Sequence, residues 1–452
     1  MVDVGEEKSL SYRFFHYELS GVPVYLFIGL AVPVILGIYT QSLTKDMLST
    51  LAILFVLGMI FMEVGKRLPI WNNWFGGGSM MAIMFPSFMV FMKWLPQKYV
   101  ESITTFYDGI GFLQLYVGLL MVGGLLSVDK DILLKTLARC GPVFLGTILC
   151  AGLFGIIGGR LMGMDLGKIF SYYVLPNLGG GNGAGAVPMS EIFQRVTGIS
   201  KDKYYPVALA ILTLGSTIAL ILGVILSRLG KTFPNLASDG TQLLRHLGKE
   251  GDKVQEASER AKSKTEVKPS PTDIAAGFVI TGGFYALACF VGGYLLPDIG
   301  GVIIHPYAYL VVFLTIAKIL GIIPEHFCAG VRYLSKFVTE KMGPMCFAGM
   351  GIAITDFGEF VNALTPQTFF VTFMIIIGVA LGAGLLGQLV GFYPIDSSII
   401  VGLCCANRGG SADVVLLSAT DRLELMPYAV VLSRIGGAIV LALSSAIFAV
   451  YF

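Results

Sequence analysis

Eleven stretches of the chain are apolar for long enough to approach the width of a bilayer, and no other feature constrains the fold as strongly. A spanning helix needs roughly 20 mostly apolar residues. Candidate stretches run at Val22–Tyr39, Met47–Met62, Phe75–Leu95, Gly109–Ser127, Gly141–Met164, Val207–Ser227, Ile274–Leu296, Val302–Ile323, Gly343–Thr355, Thr368–Phe392 and Pro427–Phe452, the ninth of these being short. None shows a period-two alternation, so strands are not expected. In lipid backbone N–H and C=O groups must be satisfied by the protein itself, in helices or closed barrels, and without strands that leaves helices. The expectation is an all-α polytopic membrane protein of about 11 transmembrane helices. Charged residues make up only 13% of the 452, against 55% hydrophobic, which excludes an ordinary soluble domain. The net charge of +2 says nothing about partners, and nucleic acid is not an expected one.

Two further apolar segments are broken in the middle by glycines and polar residues, at Tyr173–Ser190 and Ile399–Ser418. Glycine favours irregular backbone, so neither holds an uninterrupted helix. They read as re-entrant helical hairpins, because irregular backbone at membrane depth needs protein or a wet cavity around it.

Lysine and arginine near the spans set orientation. With the N-terminus inside, the inner loops hold Lys66, Arg67, Lys130, Lys135, Arg139, Arg332, Lys336 and Lys341, together with the basic residues of the linker. The outer side holds Lys45 and Lys98, with the cluster Arg195, Lys201 and Lys203 as the exception. The C-terminus then falls outside. The first twenty residues carry Glu6, Glu7, Lys8, Arg13 and Glu18 without an apolar core, so no cleaved signal peptide is expected.

The polar linker divides the chain. The expected organisation is an N-terminus with the first span at 1–46, a first repeat at 47–227 holding the break at 173–190, a linker at 228–272, and a second repeat at 273–452 holding the break at 399–418. Each half has five spans, with its broken segment between the fourth and fifth. An odd number of spans puts the halves in opposite orientations. This is the inverted-repeat plan of secondary transporters, with the site between the two breaks.

The chemistry lies at those breaks. Gly179, Gly180, Gly181, Asn182, Gly183, Ala184 and Gly185 expose backbone amides and admit a ligand closely, as an anion at a helix N-terminus requires. Plain helix packing through small residues is the competing explanation. Asn407, Arg408, Gly409, Gly410 and Ser411 place an arginine in an apolar run, at a cost of about 2.5–3.5 kcal/mol. Such an arginine faces a cavity, an acid such as Asp413 or Glu424, or an anionic substrate, and its fork suits a carboxylate. Arg434, between Ser433 and Ile435, either snorkels to the interface or joins the same site. Two arginines beside two amide-rich turns suit a substrate with two or more carboxylates.

A coupling sodium ion would use free carbonyls at the breaks with Asn407, Ser411 and Ser433. A coupling proton would need Asp108, Asp356, Glu359, Asp413, His305 or His326, most of which sit at expected span ends where a solvated face is the simpler explanation. No GxxxxGK[ST] loop for ATP occurs. Nor does an HExxH or a nucleophile–base pair, so no enzyme and no resident cofactor is expected. The cysteines Cys140, Cys150, Cys289, Cys328, Cys346, Cys404 and Cys405 lack CxxC or zinc spacing and read as small packing residues. A channel would show rings or a filter rather than two asymmetric breaks.

The residues Glu63 to Ile70, Gly179 to Glu191, Ala406 to Ser411 and Ser433 to Val440 resemble the pattern of the bacterial 2-hydroxycarboxylate transporter family, in order and spacing over almost the whole chain. The resemblance implies a homodimer in the bacterial inner membrane, with a fixed dimerisation part and a part that moves substrate in elevator fashion. It implies citrate, malate and related 2-hydroxy acids as substrates, taken up with sodium or protons or exchanged for lactate. By position it assigns substrate contacts to Asn182, Gly183, Arg408, Gly410, Ser411 and Arg434. It assigns sodium ligands to Asn407, Ser411 and Ser433 with backbone oxygens near Gly181. One departure is Ala412, where a citrate-carrying member has glycine; the added methyl keeps malate in play beside citrate.

Overall fold

The computed structural model describes residues 17–19, 21–69, 71, 77–126, 130–240, 243–245, 269–296, 298–299, 302–303, 306–407, 411–422 and 425–452. Its longer helices, in chain order, are α1 (Val24–Tyr39), α2 (Met47–Arg67), α3 (Gly77–Phe91), α4 (Gln97–Thr104), α5 (Phe112–Leu126), α6 (Lys130–Leu161), α7 (Val187–Thr197), α8 (Lys201–Thr232), α9 (Pro271–Phe290), α10 (Pro306–Leu320), α11 (Glu325–Glu340), α12 (Gly343–Ala353), α13 (Phe357–Ala363), α14 (Pro366–Leu389), α15 (Ser411–Ala419) and α16 (Met426–Tyr451). Each of the eleven apolar stretches carries a helix.

Two antiparallel ribbons of two residues per strand, Glu18–Leu19 with Val22–Pro23 and Asp298–Ile299 with Val302–Ile303, lie where only helix and loop were expected. Both precede a helix at a turn. The amphipathic α11 occupies a segment read from sequence as a loop.

Among the described residues, five helices are long and apolar enough to cross a membrane: Met47–Arg67, Ala138–Leu161, Lys201–Thr232, Pro271–Leu295 and Pro366–Leu389. Gln97–Tyr107 and Phe112–Leu126 pass the same test as a bent pair. Shorter apolar helices among the described residues include Val24–Tyr39, Gly77–Phe91, Tyr309–Leu320 and Gly343–Ala353. Helix starts are chemically specified. Asp46 accepts from the Ser49 amide to open α2, and Ser270 with Asp273 forms a capping box ahead of α9, with Pro271 as its first residue.

The chain forms two compact units, Met1–Leu113 with Val338–Phe357, and Gln114–Phe337 with Gly358–Phe452. In the first, α2, α3 and α12 pack closely because small residues face one another. Gly58 lies against the Pro344 backbone, Gly65 against Gly78, and Gly351 against the Ile83 carbonyl. Tyr107 donates to the Cys346 carbonyl at 2.8 Å, tying the neighbouring π-helical turn to α12. In the second unit, α6 and α14 run together along most of their lengths. Gly378 and Gly382 of α14 meet Phe154 and Cys150, and Gly146 of α6 meets Leu386.

Both broken segments belong to the second unit and extend further than the sequence suggested. The first enters through Leu166–Lys168, a π-helical turn at Ile169–Val174 and one α-turn at Leu175–Leu178. It breaks at Gly179–Gly181 and leaves through a π-helical turn at Asn182–Ala186 and α7. The second enters through Pro394–Ser397 and a π-helical turn at Ser398–Leu403, breaks after Leu403, and leaves through α15. A one-residue expansion of the helix before each break frees backbone groups near the break, the usual setting of a π turn at a functional site.

Candidate functional site

The first break forms because consecutive glycines take left-handed backbone. Gly180 has φ +83 and Gly181 φ +101, conformations that an L side chain rarely adopts. Space enforces the same choice. A methyl on Gly180 would lie 2.9 Å from the Ser433 carbonyl oxygen and 3.1 Å from Gly437 Cα. The first break is therefore pressed against α16 at Ser433–Gly437, the segment singled out in the sequence. The Gly181 carbonyl accepts the Ala186 amide at 2.9 Å and so closes the π turn that follows. Asn182 is half-buried, its Oδ1 accepting from the Tyr205 hydroxyl of α8 at 2.8 Å. Gly183 faces Tyr116 and Leu120 of α5.

The second break is pressed against α8 in the same manner. Asn407 is buried, and Ser216 of α8 donates to its Oδ1. The neighbouring residue of α8, Gly215, has no side chain because Asn177 of the first segment occupies that space. Asn177 itself is fixed by donation from Nδ2 to the Tyr173 carbonyl at 2.8 Å. Thus α8 receives a polar side chain from each broken segment within two consecutive residues.

Ser433 stands between the two breaks. Its hydroxyl donates to Asp413 Oδ2 at 3.2 Å and lies 3.4 Å from the Cys404 carbonyl. Asp413, on the first turns of α15, is 1% exposed, so the solvated face expected of the proton candidates does not hold for it. His326, Asp356 and Glu359 are exposed, as that expectation required. Burial of an acid beside the two breaks matters electrostatically, because Asp413 is one of the counter-charges the sequence offers for Arg408.

Of the residues assigned by resemblance, Gly181, Asn182, Gly183, Asn407 and Ser433 are described with their surroundings. Arg408 and Gly410 lie outside the described residues, as do His305 and Glu424. Ser411 starts α15 and Arg434 lies in the first half of α16, but their side chains, like that of Asp108, are outside the description. Ala412 sits half-buried on the first turn of α15. The described members of both breaks, with Ser433, converge on α8 and α16.

Sequence reasoning passed over several residues. Ser216 and Tyr205 are neutral polar residues in an apolar run, and nothing in their spacing separates them from packing serines and tyrosines. Asp396 had a signal, an acid in an apolar stretch. It is fully buried and accepts from Arg422 Nε at 2.5 Å and from the Ser238 amide at 2.6 Å. Arg422 also donates to Ser227 Oγ at 2.9 Å. Ser238 belongs to the linker, which the sequence marks only as polar. That part packs on the entry of the second segment, through Arg245 N to Gly391 O and Tyr393 N to Leu243 O.

A model of the 2-hydroxycarboxylate transporter family matches residues 19–446. The chain is 36% identical to a citrate/sodium symporter of Salmonella typhimurium over 98% of its own length and 97% of the relative's. It is 27% identical to the citrate transporter CitP of Lactococcus lactis, covering 94% of this chain and 92% of that one. The Na(+)-malate symporter of Bacillus subtilis is 27% identical, with 96% and 93% covered. A solved sodium proton antiporter from Methanocaldococcus jannaschii aligns at a TM-score of 0.40 and 17% identity, over 89% of this chain and 95% of that one.

Proposed function

The chain belongs to the 2-hydroxycarboxylate transporter family, a multi-pass membrane transporter and not an enzyme, and from that premise we propose that it takes up 2-hydroxy di- and tricarboxylates, malate and citrate, by symport with sodium. The observation that carries this reading is the convergence of both broken segments on Ser216 and Ser433. Asn407 meets α8, and Gly180 meets α16. Amide-rich turns brought against polar helix positions at the middle of an apolar bundle form the kind of site that binds a small anion.

In this reading Asn182, Gly183, Arg408, Gly410, Ser411 and Arg434 hold the substrate. Each arginine forks onto a carboxylate, and the turns supply amide donors. Asn407, Ser411, Ser433 and the carbonyl of Gly181 hold sodium, a hard cation that takes oxygen ligands. The Asp413 carboxylate lies against Ser433 and supplies the negative charge that draws a cation in before substrate arrives. The names of the Salmonella and Bacillus relatives favour sodium over a proton as the main coupling ion.

The two segments share an entry through a short α turn, a six-residue π turn and a glycine-bearing break. This supports inverted repeats at 47–227 and 273–452 around the linker at 228–272, with the segments as re-entrant hairpins. We infer that the hairpins with α6, α8, α14 and α16 move as one body in elevator fashion, in a homodimer of the bacterial inner membrane whose subunit contact is distant from both breaks. Uptake of labelled malate and citrate into liposomes under separately imposed sodium and proton gradients tests the function. Accumulation driven by the sodium gradient supports it, and equilibration without coupling refutes it.

A further inference from the structure

Each break carries an asparagine, and helix α8 grips both by the oxygen of the side-chain amide. The Tyr205 hydroxyl donates to Asn182 Oδ1 at 2.8 Å. About three turns further along α8, on the same face, Ser216 donates to Asn407 Oδ1. Both α8 residues are buried. Asn182 is half-buried and is the first residue of the π-helical turn Asn182–Ala186. Its amide nitrogen has no hydrogen-bond partner among the described residues. The next residue, Gly183, is pressed towards α5, where a Cβ would lie 3.0 Å from Leu120 Cδ1 and 3.5 Å from the Tyr116 hydroxyl. The turn is therefore held from both sides, by α5 and by α8, and what remains to be set is which end of the Asn182 amide points where.

The two ends of an asparagine amide have nearly the same shape and opposite chemistry: the oxygen accepts and the nitrogen donates. Packing alone does not choose between them, so the hydrogen-bond partner does. With its oxygen on the Tyr205 hydroxyl, Asn182 presents its N–H groups on the side away from that hydroxyl. A helix start likewise leaves backbone N–H groups without intrahelical acceptors. Side chain and main chain of this turn thus offer donors together. An ionised carboxylate only accepts and is matched by such a surface. The flipped amide would set an acceptor among those donors and repel an anion.

We propose that Tyr205 is a positioning residue for substrate recognition: it holds the Asn182 amide by its oxygen, so that Asn182 donates through Nδ2 to a carboxylate of the substrate. The proposal rests on the reading of Asn182 as a substrate contact and names the atom through which that contact is made. Tyr205 acts only through Asn182. Its ring fills the same space with or without the hydroxyl, so Tyr205→Phe removes the orientation and keeps the packing.

The test is a double-mutant cycle on the full-length purified protein, with Tyr205→Phe, Asn182→Ala and the two together, read in two ways. Thermal unfolding without ligand reads the hydrogen bond itself, and calorimetric titration with malate and citrate at saturating sodium reads its consequence for binding. Tyr205→Phe is expected to weaken substrate binding about tenfold. In the Asn182→Ala background the same change is expected to weaken it no further, because its route runs through Asn182. Asn182→Asp keeps an acceptor for Tyr205 and puts an oxygen where the N–H groups stood, so it is expected to bind substrate more weakly than Asn182→Ala. Undiminished affinity in Tyr205→Phe, an equal loss in the Asn182→Ala background, or substrate affinity retained in Asn182→Asp overturns the proposal. Should Asn182→Ala fail to fold, the Asn182→Asp result decides alone. Absence of malate and citrate binding by the wild-type protein would sink the transport reading. The unfolding cycle is independent of that outcome: coupled midpoint shifts support the positioning of Asn182 by Tyr205, and additive shifts overturn it.

Discussion

Arg422 donates through Nε to Asp396 Oδ1 at 2.5 Å across 26 residues of chain, joining the entry of the second broken segment to the stretch that follows its exit. Both side chains are buried, at 4% and 0% exposure. Ser227 of α8 and the linker amide of Ser238 complete the contact, so the base of the segment is tied to α8 and to the linker at once. Losing one partner strands a buried charge. Asp396→Asn is expected to cost about 3–5 kcal/mol of stability, read as a lower midpoint of thermal unfolding in detergent. The paired replacement Asp396→Leu with Arg422→Met should recover most of that loss, because both desolvation costs vanish together.

Gly180 is the point where the first break presses on α16. Its left-handed backbone and its approach to Ser433 both forbid a Cβ. Gly180→Ala should therefore distort the turn at a cost of about 1–3 kcal/mol. The expected result is substrate affinity lowered by at least tenfold while the protein remains monodisperse. Gly198→Ala, at another positive φ but with open space around it, is the control that should leave affinity unchanged.

Arg408→Ala and Arg434→Ala should each abolish accumulation without unfolding the protein. Each removal leaves a substrate carboxylate unpaired, a loss of roughly 2–5 kcal/mol. Near-normal transport by either variant removes that residue from the substrate site.

How much of this was legible before the structure follows a physical division. Helices were readable because length and apolarity in one segment determine them, and all eleven apolar stretches carry one. The two breaks were readable because runs such as Gly179–Gly181 cannot continue a helix. Their true extent was not, since the π turns at Ile169–Val174 and Ser398–Leu403 use ordinary helix-forming residues and leave no mark in composition. Partners across the fold were also invisible. Ser216 acquires meaning only when Asn407, 191 residues away, docks on it, and Tyr205 only when the first break brings Asn182 to it. The α11 segment was read as a loop because an amphipathic helix carrying Arg332 and Lys336 is not a long apolar run.

Asp413 bears on the order of binding. With arginines alone the empty site would repel a cation, and sodium would need substrate first. The buried acid beside Ser433 lowers that barrier. Asp413→Asn should weaken sodium affinity by more than tenfold, measured by calorimetry without substrate. Ser433→Ala, which removes a neutral ligand and leaves the charge, should weaken it less.

Sodium coupling of 2-hydroxycarboxylate uptake is the claim on which the rest depends, and reciprocity is its most direct test. Sodium must tighten substrate binding, and substrate must tighten sodium binding, by the same factor. Calorimetric titration of purified protein with malate and with citrate, at fixed pH and at low and high sodium, measures one arm; titration with sodium at zero and saturating substrate measures the other. Equal factors well above one are the predicted result. Substrate affinity that ignores sodium and follows pH instead would contradict the account and hand the coupling to a proton.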